Sequence, residues 1–130
     1  MNALLDTHVV IWWLEGSVRI GPRAAASLRQ ATQLWLSAAS VWEVAIKYRL
    51  GRLPLSDSPE RWVNTLFAEW GVRPLPISAS HALAAGALPL HHPDPFDRML
   101  IAQAQCEGLT LVTADPRLRA YDIRTVDATV

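Results

Sequence analysis

The segment His91–Asp115, HHPDPFDRMLIAQAQCEGLTLVTAD, limits what this chain can fold into more than any other stretch. It reads as a proline-marked turn, a helix, a glycine stop, a short apolar strand and an acid-marked turn. Asp94 precedes Pro95 as an N-cap acid precedes a first-turn proline, and Gly108 falls where a helix needs a left-handed terminator. The same succession of apolar strand, acid and helix occurs earlier. Ala3-Leu4-Leu5 runs into Asp6, and Leu34-Trp35-Leu36-Ser37 runs into a helical stretch that carries Glu43. Strands separated by helices pair in parallel, with the helices covering the faces of the sheet.

The rest of the chain fits this scheme. Helices are expected over Val9–Leu14, over Arg23–Ala31 behind Gly21-Pro22, and from Ser40 to Leu50 with a stop at Gly51. Glu60–Trp70 is amphipathic, with Trp62, Val63, Leu66, Phe67 and Trp70 at helical spacing. Two prolines make Val72–Ile77 an irregular or edge strand. Ser78 caps a helix through Ala85, a turn occupies Pro116–Ala120, and Ile123–Val126 closes the sheet. The fold class expected is α/β, a three-layer α/β/α sandwich on a central parallel sheet of four or five strands, formed as one domain over residues 1–130.

Composition narrows the function classes. The chain is 51% hydrophobic and 18% charged, hence globular. Twelve basic residues balance twelve acidic ones, which argues against nucleic-acid binding by bulk charge and leaves only a local groove. Cys106 is the single cysteine, cannot form an internal disulfide, and fits a reducing cytoplasm. No apolar run is long enough to span a membrane, and no basic leader of an export signal is visible. Six tryptophans are many for a core of this size. Trp35 is expected in the core, while Trp12, Trp13, Trp62 and Trp70 divide between core and a partner groove.

Asp6, Glu43, Asp97 and Asp115 each have a structural explanation. Ser40-x-x-Glu43 matches a capping box, Asp94 and Asp97 flank Pro95 at a helix start, Asp115-Pro116 repeats that pattern, and Asp6 stands where it can cap the first helix. Their placement also admits another explanation. Asp6, Glu43 and Asp115 follow apolar strands closely, and Asp97 opens the helix leading into one. In a parallel sheet such junctions share one edge, where ligands bind. Carboxylates gathered there repel one another, and a hard divalent ion such as Mg²⁺ or Mn²⁺ resolves the conflict. Zinc is poorly served, since His91 and His92 are adjacent and His8 is distant in sequence. No G-x-x-x-x-G-K-[ST] or G-x-G-x-x-G loop is present, so no nucleotide cofactor is expected, and no G-x-S-x-G elbow occurs. A receiver domain, which also gathers acids at such an edge, requires a lysine after a late strand, and Lys47 is the only lysine.

Three stretches, LLDTH at 4–8, SAASVWEVAIK at 37–47 and DPFDRMLIAQAQCEGLTLVTAD at 94–115, resemble PIN-domain proteins, in particular VapC-type toxins of prokaryotic toxin–antitoxin pairs. The resemblance implies a Mg²⁺- or Mn²⁺-dependent endoribonuclease with its acidic quartet at Asp6, Glu43, Asp97 and Asp115. It places Asp6, Asp97 and Asp115 on the metal and Glu43 beside the attacking water. Thr7, Asp94 and Thr113 support them. Arg98, Arg117 and Lys47 are candidates for contact with substrate phosphates, the alternative being solvated surface or helix-end charge. The resemblance further implies an RNA substrate, a homodimer and a VapB-like antitoxin as partner. The competing expectation is a module of the same fold that holds RNA or protein without cutting it.

Overall fold

In the computed structural model, which describes residues 1–130, five parallel strands form one sheet in the order β3-β2-β1-β4-β5. In chain order the elements are β1 (Asn2–Leu5), α1 (Thr7–Leu14), α2 (Pro22–Gln30), β2 (Gln33–Ser37), α3 (Ala38–Arg49) and α4 (Pro59–Asn64), which a π-helical turn extends through Glu69. Then follow β3 (Arg73–Leu75), α5 (Ala79–Ala87), α6 (Pro95–Glu107), β4 (Thr110–Thr113), a 3₁₀ turn (Pro116–Ala120) and β5 (Thr125–Asp127). All four strand pairs are parallel, with Leu4 opposite Trp35 on one side of β1 and opposite Leu111 on the other.

Alternation along the strands divides the core into two layers. Ala3 and Leu5 of β1 and Leu36 of β2 pack with Val9, Val10, Leu28, Val44, Trp62 and Leu66 from the helices of the first half. Leu4 and Leu111 point to the other face and meet Leu100, Ile101, Ala104, Leu118 and Tyr121. Leu4, Leu5, Leu36, Leu100 and Leu111 are fully buried, each contributing about 1.5–3 kcal/mol relative to exposure. The three-layer α/β/α expectation therefore holds, with five strands.

Strand order decides where a site can form. From β1 the chain moves outward through β2 to β3, then crosses back and lays β4 on the other side of β1 before adding β5. The C-terminal ends of β1 and β4 thus flank the place where the winding direction reverses, which in open parallel sheets opens a crevice.

Local details depart from the sequence expectations in instructive ways. α3 begins at Ala38, capped by the Ser37 hydroxyl, which accepts from the Ala39 amide at 3.0 Å. Ser40 lies inside the helix, so the expected Ser40–Glu43 capping box does not form. Both groups are left for other contacts. The closing strand lies over Thr125–Asp127, because Ile123 packs against the second core layer before pairing begins. Edge strand β3 is the proline-bearing segment, as expected.

Arg98 corrects a further expectation. Its guanidinium donates to the carbonyls of Ala85 (3.0 Å), Leu88 (2.9 Å), Pro89 (2.9 Å) and His92 (3.3 Å). It satisfies the orphan acceptors beyond α5 and ties that helix end to α6. A group with its donors so engaged is a clamp within the fold, and the substrate-phosphate role does not suit it. Arg98→Ala is expected to destabilise the protein by about 2–3 kcal/mol in denaturant unfolding, the scale of lost hydrogen bonds to a charged group. Unchanged stability with lost RNA binding would restore the phosphate role.

Candidate metal and nuclease site

Each acid reaches the switch-point crevice from a different element. Asp6 directly follows β1, Glu43 sits one turn into α3, Asp97 is the third residue of α6, and Asp115 lies just beyond β4. All four line one cleft of about 360 Å³, together with Asp94, His8, Trp12, Lys47, Ala114 and Arg117. Residues up to 109 positions apart in sequence thus share a single acidic surface.

The capping explanations divide on inspection. Asp94 is a genuine cap: Oδ1 accepts from the amides of Phe96 (2.8 Å) and Asp97 (3.4 Å). Asp115 caps the 3₁₀ turn through the Arg117 amide at 2.9 Å. Asp6 occupies an N-cap position but makes no side-chain cap bond, and Glu43 is in mid-helix. Asp97 has His92 as its only side-chain partner. Helix capping therefore leaves Asp6, Glu43 and Asp97 unexplained.

The supporting residues hold this arrangement from below. Thr113, fully buried, donates its hydroxyl to Asp6 Oδ2 at 2.6 Å, and the same oxygen accepts from the Asp115 amide at 3.1 Å. One side chain thereby couples the ends of β1 and β4. Thr7 donates to Ser40 Oγ at 2.8 Å, tying α1 to α3. Lys47 pairs with Glu43 Oε2 one helical turn away, while Arg117 grips Asp115 through Nε and Nη2. Lys47 and Arg117 remain at the cleft, unlike Arg98.

Two residues escaped the sequence reading. His92, which the sequence offers only as one of two adjacent histidines ill-suited to zinc, is buried, with Nε2 2.7 Å from Asp97 Oδ2 and 3.8 Å from Asp115 Oδ2. The approach of a histidine to an acid five residues later through a proline-bearing turn leaves no periodic signal. Trp12, assigned to core or partner surface, stands on the cleft wall with His8 6.2 Å away and the Arg19 guanidinium 5.5 Å from its ring centre. The other tryptophans also separate. Trp62 is core, Trp13 and Trp70 pack edge to face at 4.9 Å, and Trp42 is 63% exposed against Phe96.

Burial and crowding oppose full ionisation. Burial, more than any other effect, raises the Asp6 carboxyl above its ordinary range, and the charge of Glu43 adds to the rise. Burial and then the charge of Asp6 push Asp97 up to about 6. Asp115 is held below the ordinary range by its hydrogen bonds from Arg117. Glu43 Oε1 is buried without a hydrogen-bond partner. An orphaned carboxylate oxygen, two acids that resist ionisation and an all-oxygen donor set fit a hard divalent cation of the Mg²⁺ or Mn²⁺ type. Asp94, Asp97 and His92 also bring potential ligand atoms within 4.8 Å of one another.

Comparison with known proteins agrees with this architecture. The family model described as PIN domain matches residues 3–124. The chain is 36% identical over 121 residues to Ribonuclease VapC22 of Mycobacterium tuberculosis, covering 92% of each protein. Its fold is similar to VapBC2 from Rickettsia felis bound to a DNA fragment from their promoter, at a TM-score of 0.72 and 12% identity, over 98% of both chains. A toxin–antitoxin complex from Klebsiella pneumoniae gives a TM-score of 0.65 at 23% identity over 97% of both chains.

The raised carboxyls generate a pH prediction with a definite sign. A carboxyl whose folded pKa exceeds its unfolded value favours the folded state when protonated, and that contribution is lost as pH rises through the folded value. Asp115, shifted downward, acts only at lower pH. Metal-free protein should therefore melt at higher temperature at pH 5.5 than at pH 7.5, and Asp97→Asn should flatten the difference. A wild-type melting temperature that rises from pH 5.5 to pH 7.5 would contradict these electrostatics.

Proposed function

Because this chain belongs to the PIN-domain family, we propose that it is the toxin of a toxin–antitoxin pair, a metal-dependent endoribonuclease acting through the acidic cleft. The observation that carries the reading is the convergence of Asp6, Glu43, Asp97 and Asp115 on one crevice, three of them without a capping role. The 36% identity to a ribonuclease supports RNA as the substrate. In this reading residues 1–130 work as one PIN domain, form a homodimer and are restrained by a VapB-like antitoxin. No helix is long and apolar enough to cross a membrane.

The residues divide the work of phosphodiester hydrolysis. Asp6, Asp97 and Asp115 hold the cation, with Mg²⁺ or Mn²⁺ as the candidates. When bound, it supplies Lewis-acid polarisation of the phosphate and a lowered pKa for water. Glu43 orients the attacking water and accepts its proton through Oε1, since Lys47 engages the other oxygen. Thr113 keeps Asp6 and the backbone of Asp115 in register across the strand ends. Lys47 and Arg117, at the cleft wall, meet the charge of the substrate phosphates. Thr7 maintains the α1–α3 spacing through Ser40, and Asp94 preserves the start of α6 from which Asp97 projects.

Asp6→Asn and Asp97→Asn should each lower metal-dependent cleavage of an RNA panel by at least roughly 10²–10³-fold, the scale of removing a transition-state stabiliser. Both variants should retain the wild-type circular dichroism, and EDTA should silence the wild type. Cleavage at wild-type rates in either variant would remove the cleft from the reaction.

A further inference from the structure

His92 has no part in the division of labour above, yet its surroundings are those of a constructed feature. The ring is 4% exposed. The backbone is fixed at both ends: the His92 amide donates to the Tyr121 hydroxyl at 2.9 Å, and its carbonyl accepts from Arg98 at 3.3 Å. Tyr121 in turn donates to the Pro89 carbonyl at 2.9 Å, closing the turn that carries the histidine. Elements from two distant parts of the chain thus deliver one imidazole behind Asp97.

The ring's chemistry determines what it can do there. Nδ1 is buried and has no hydrogen-bond partner. A proton on it would be an orphaned donor, so the ring's single proton belongs on Nε2, which has the Asp97 carboxylate 2.7 Å away. Asp97 is the third residue of α6, where an acid can otherwise fold back onto the backbone of its own helix start. Asp94 takes the amides of Phe96 and Asp97, while Asp97 makes no bond back to the Asp94 amide and pairs with His92 instead. With Oδ2 engaged, Oδ1 has no partner within the protein. A neutral N–H is suited to this task, since it holds a carboxylate without cancelling the charge that attracts a cation. Lysine or arginine in its place would compete with the metal.

We infer that His92 is the positioning residue of the acidic cleft: its Nε2–H holds one oxygen of Asp97 and leaves the other for the divalent ion. The inference rests on the proposed metal site. It adds that the affinity of that site is set from outside the acidic quartet, as partners of metal-bound groups commonly do.

The test is Mn²⁺ binding to the full chain, without antitoxin, by isothermal titration calorimetry. His92→Ala should weaken Mn²⁺ about 10–100-fold. His92→Gln, whose terminal amide can donate from nearly the position of Nε2, should recover most of the loss, which a merely space-filling role would not produce. Long-range ¹H–¹⁵N spectra of the metal-free wild type should show His92 as the Nε2–H tautomer. That spectrum stands as evidence if the alanine variant fails to fold. Wild-type affinity in His92→Ala, or an Nδ1–H tautomer, would overturn the inference while leaving the nuclease site intact. Equal, negligible binding by the wild type and Asp6→Asn would overturn the metal site itself, and this inference with it.

Discussion

Mutual repulsion among buried carboxylates is the constraint around which this structure is arranged. A parallel sheet wound outward in two directions from β1 opens a crevice where the ends of β1 and β4 diverge, and four acids are delivered there from four elements. Nothing in hydrophobic packing requires that gathering. Its cost is visible in the upward displacement of Asp6 and Asp97 and in the unpartnered oxygen of Glu43. A protein that keeps such a cluster under strain in the metal-free state is prepared for a cation.

The polar scaffold shows how the strain is contained without being relieved. Thr113 and His92 each give a neutral donor to one acid, Asp6 and Asp97 respectively. Neutral donors restrict where a carboxylate points while leaving its charge available. The two formal cations, Lys47 and Arg117, pair with Glu43 and Asp115. The cleft thus combines a buried anionic floor at Asp6 with a partly exposed wall that carries positive charge, an arrangement suited to a phosphate approaching a bound cation. Arg98, equally basic and adjacent to Asp97, does different work because its donors are already committed to backbone carbonyls.

Much of this was legible in the sequence, for identifiable reasons. Strands such as Leu34–Ser37 are short apolar runs bounded by turn residues. Helix α6 announces both its ends through Asp94-Pro95 and Gly108, and the latter adopts a φ of 66° as its terminator. Those local signals determined the alternation of strand and helix, hence the parallel sheet, hence the shared edge of the acids. Contacts decided by side-chain competition were not legible. Ser40 matches a capping box in the sequence, but Ser37 stands at the end of β2 and caps instead, which frees Ser40 for Thr7. His92 carries no signal in the sequence, because its placement depends on Tyr121, whose neighbourhood to the turn is a tertiary fact. The tryptophans could not be sorted either, since Trp62 and Trp70 share a helical face in sequence while the turn after Asn64 changes the pitch between them.

The location of one ion decides whether these acids act together. Crystals of the protein equilibrated with Mn²⁺ and measured at the manganese absorption edge would give that location directly. An anomalous peak within about 2.0–2.6 Å of carboxylate oxygens from both Asp6 and Asp97, the range of hard-cation–oxygen bonds, is the result expected. A peak elsewhere on the molecule, with the cleft empty at saturating Mn²⁺, would contradict the claim that these acids are gathered to hold a metal.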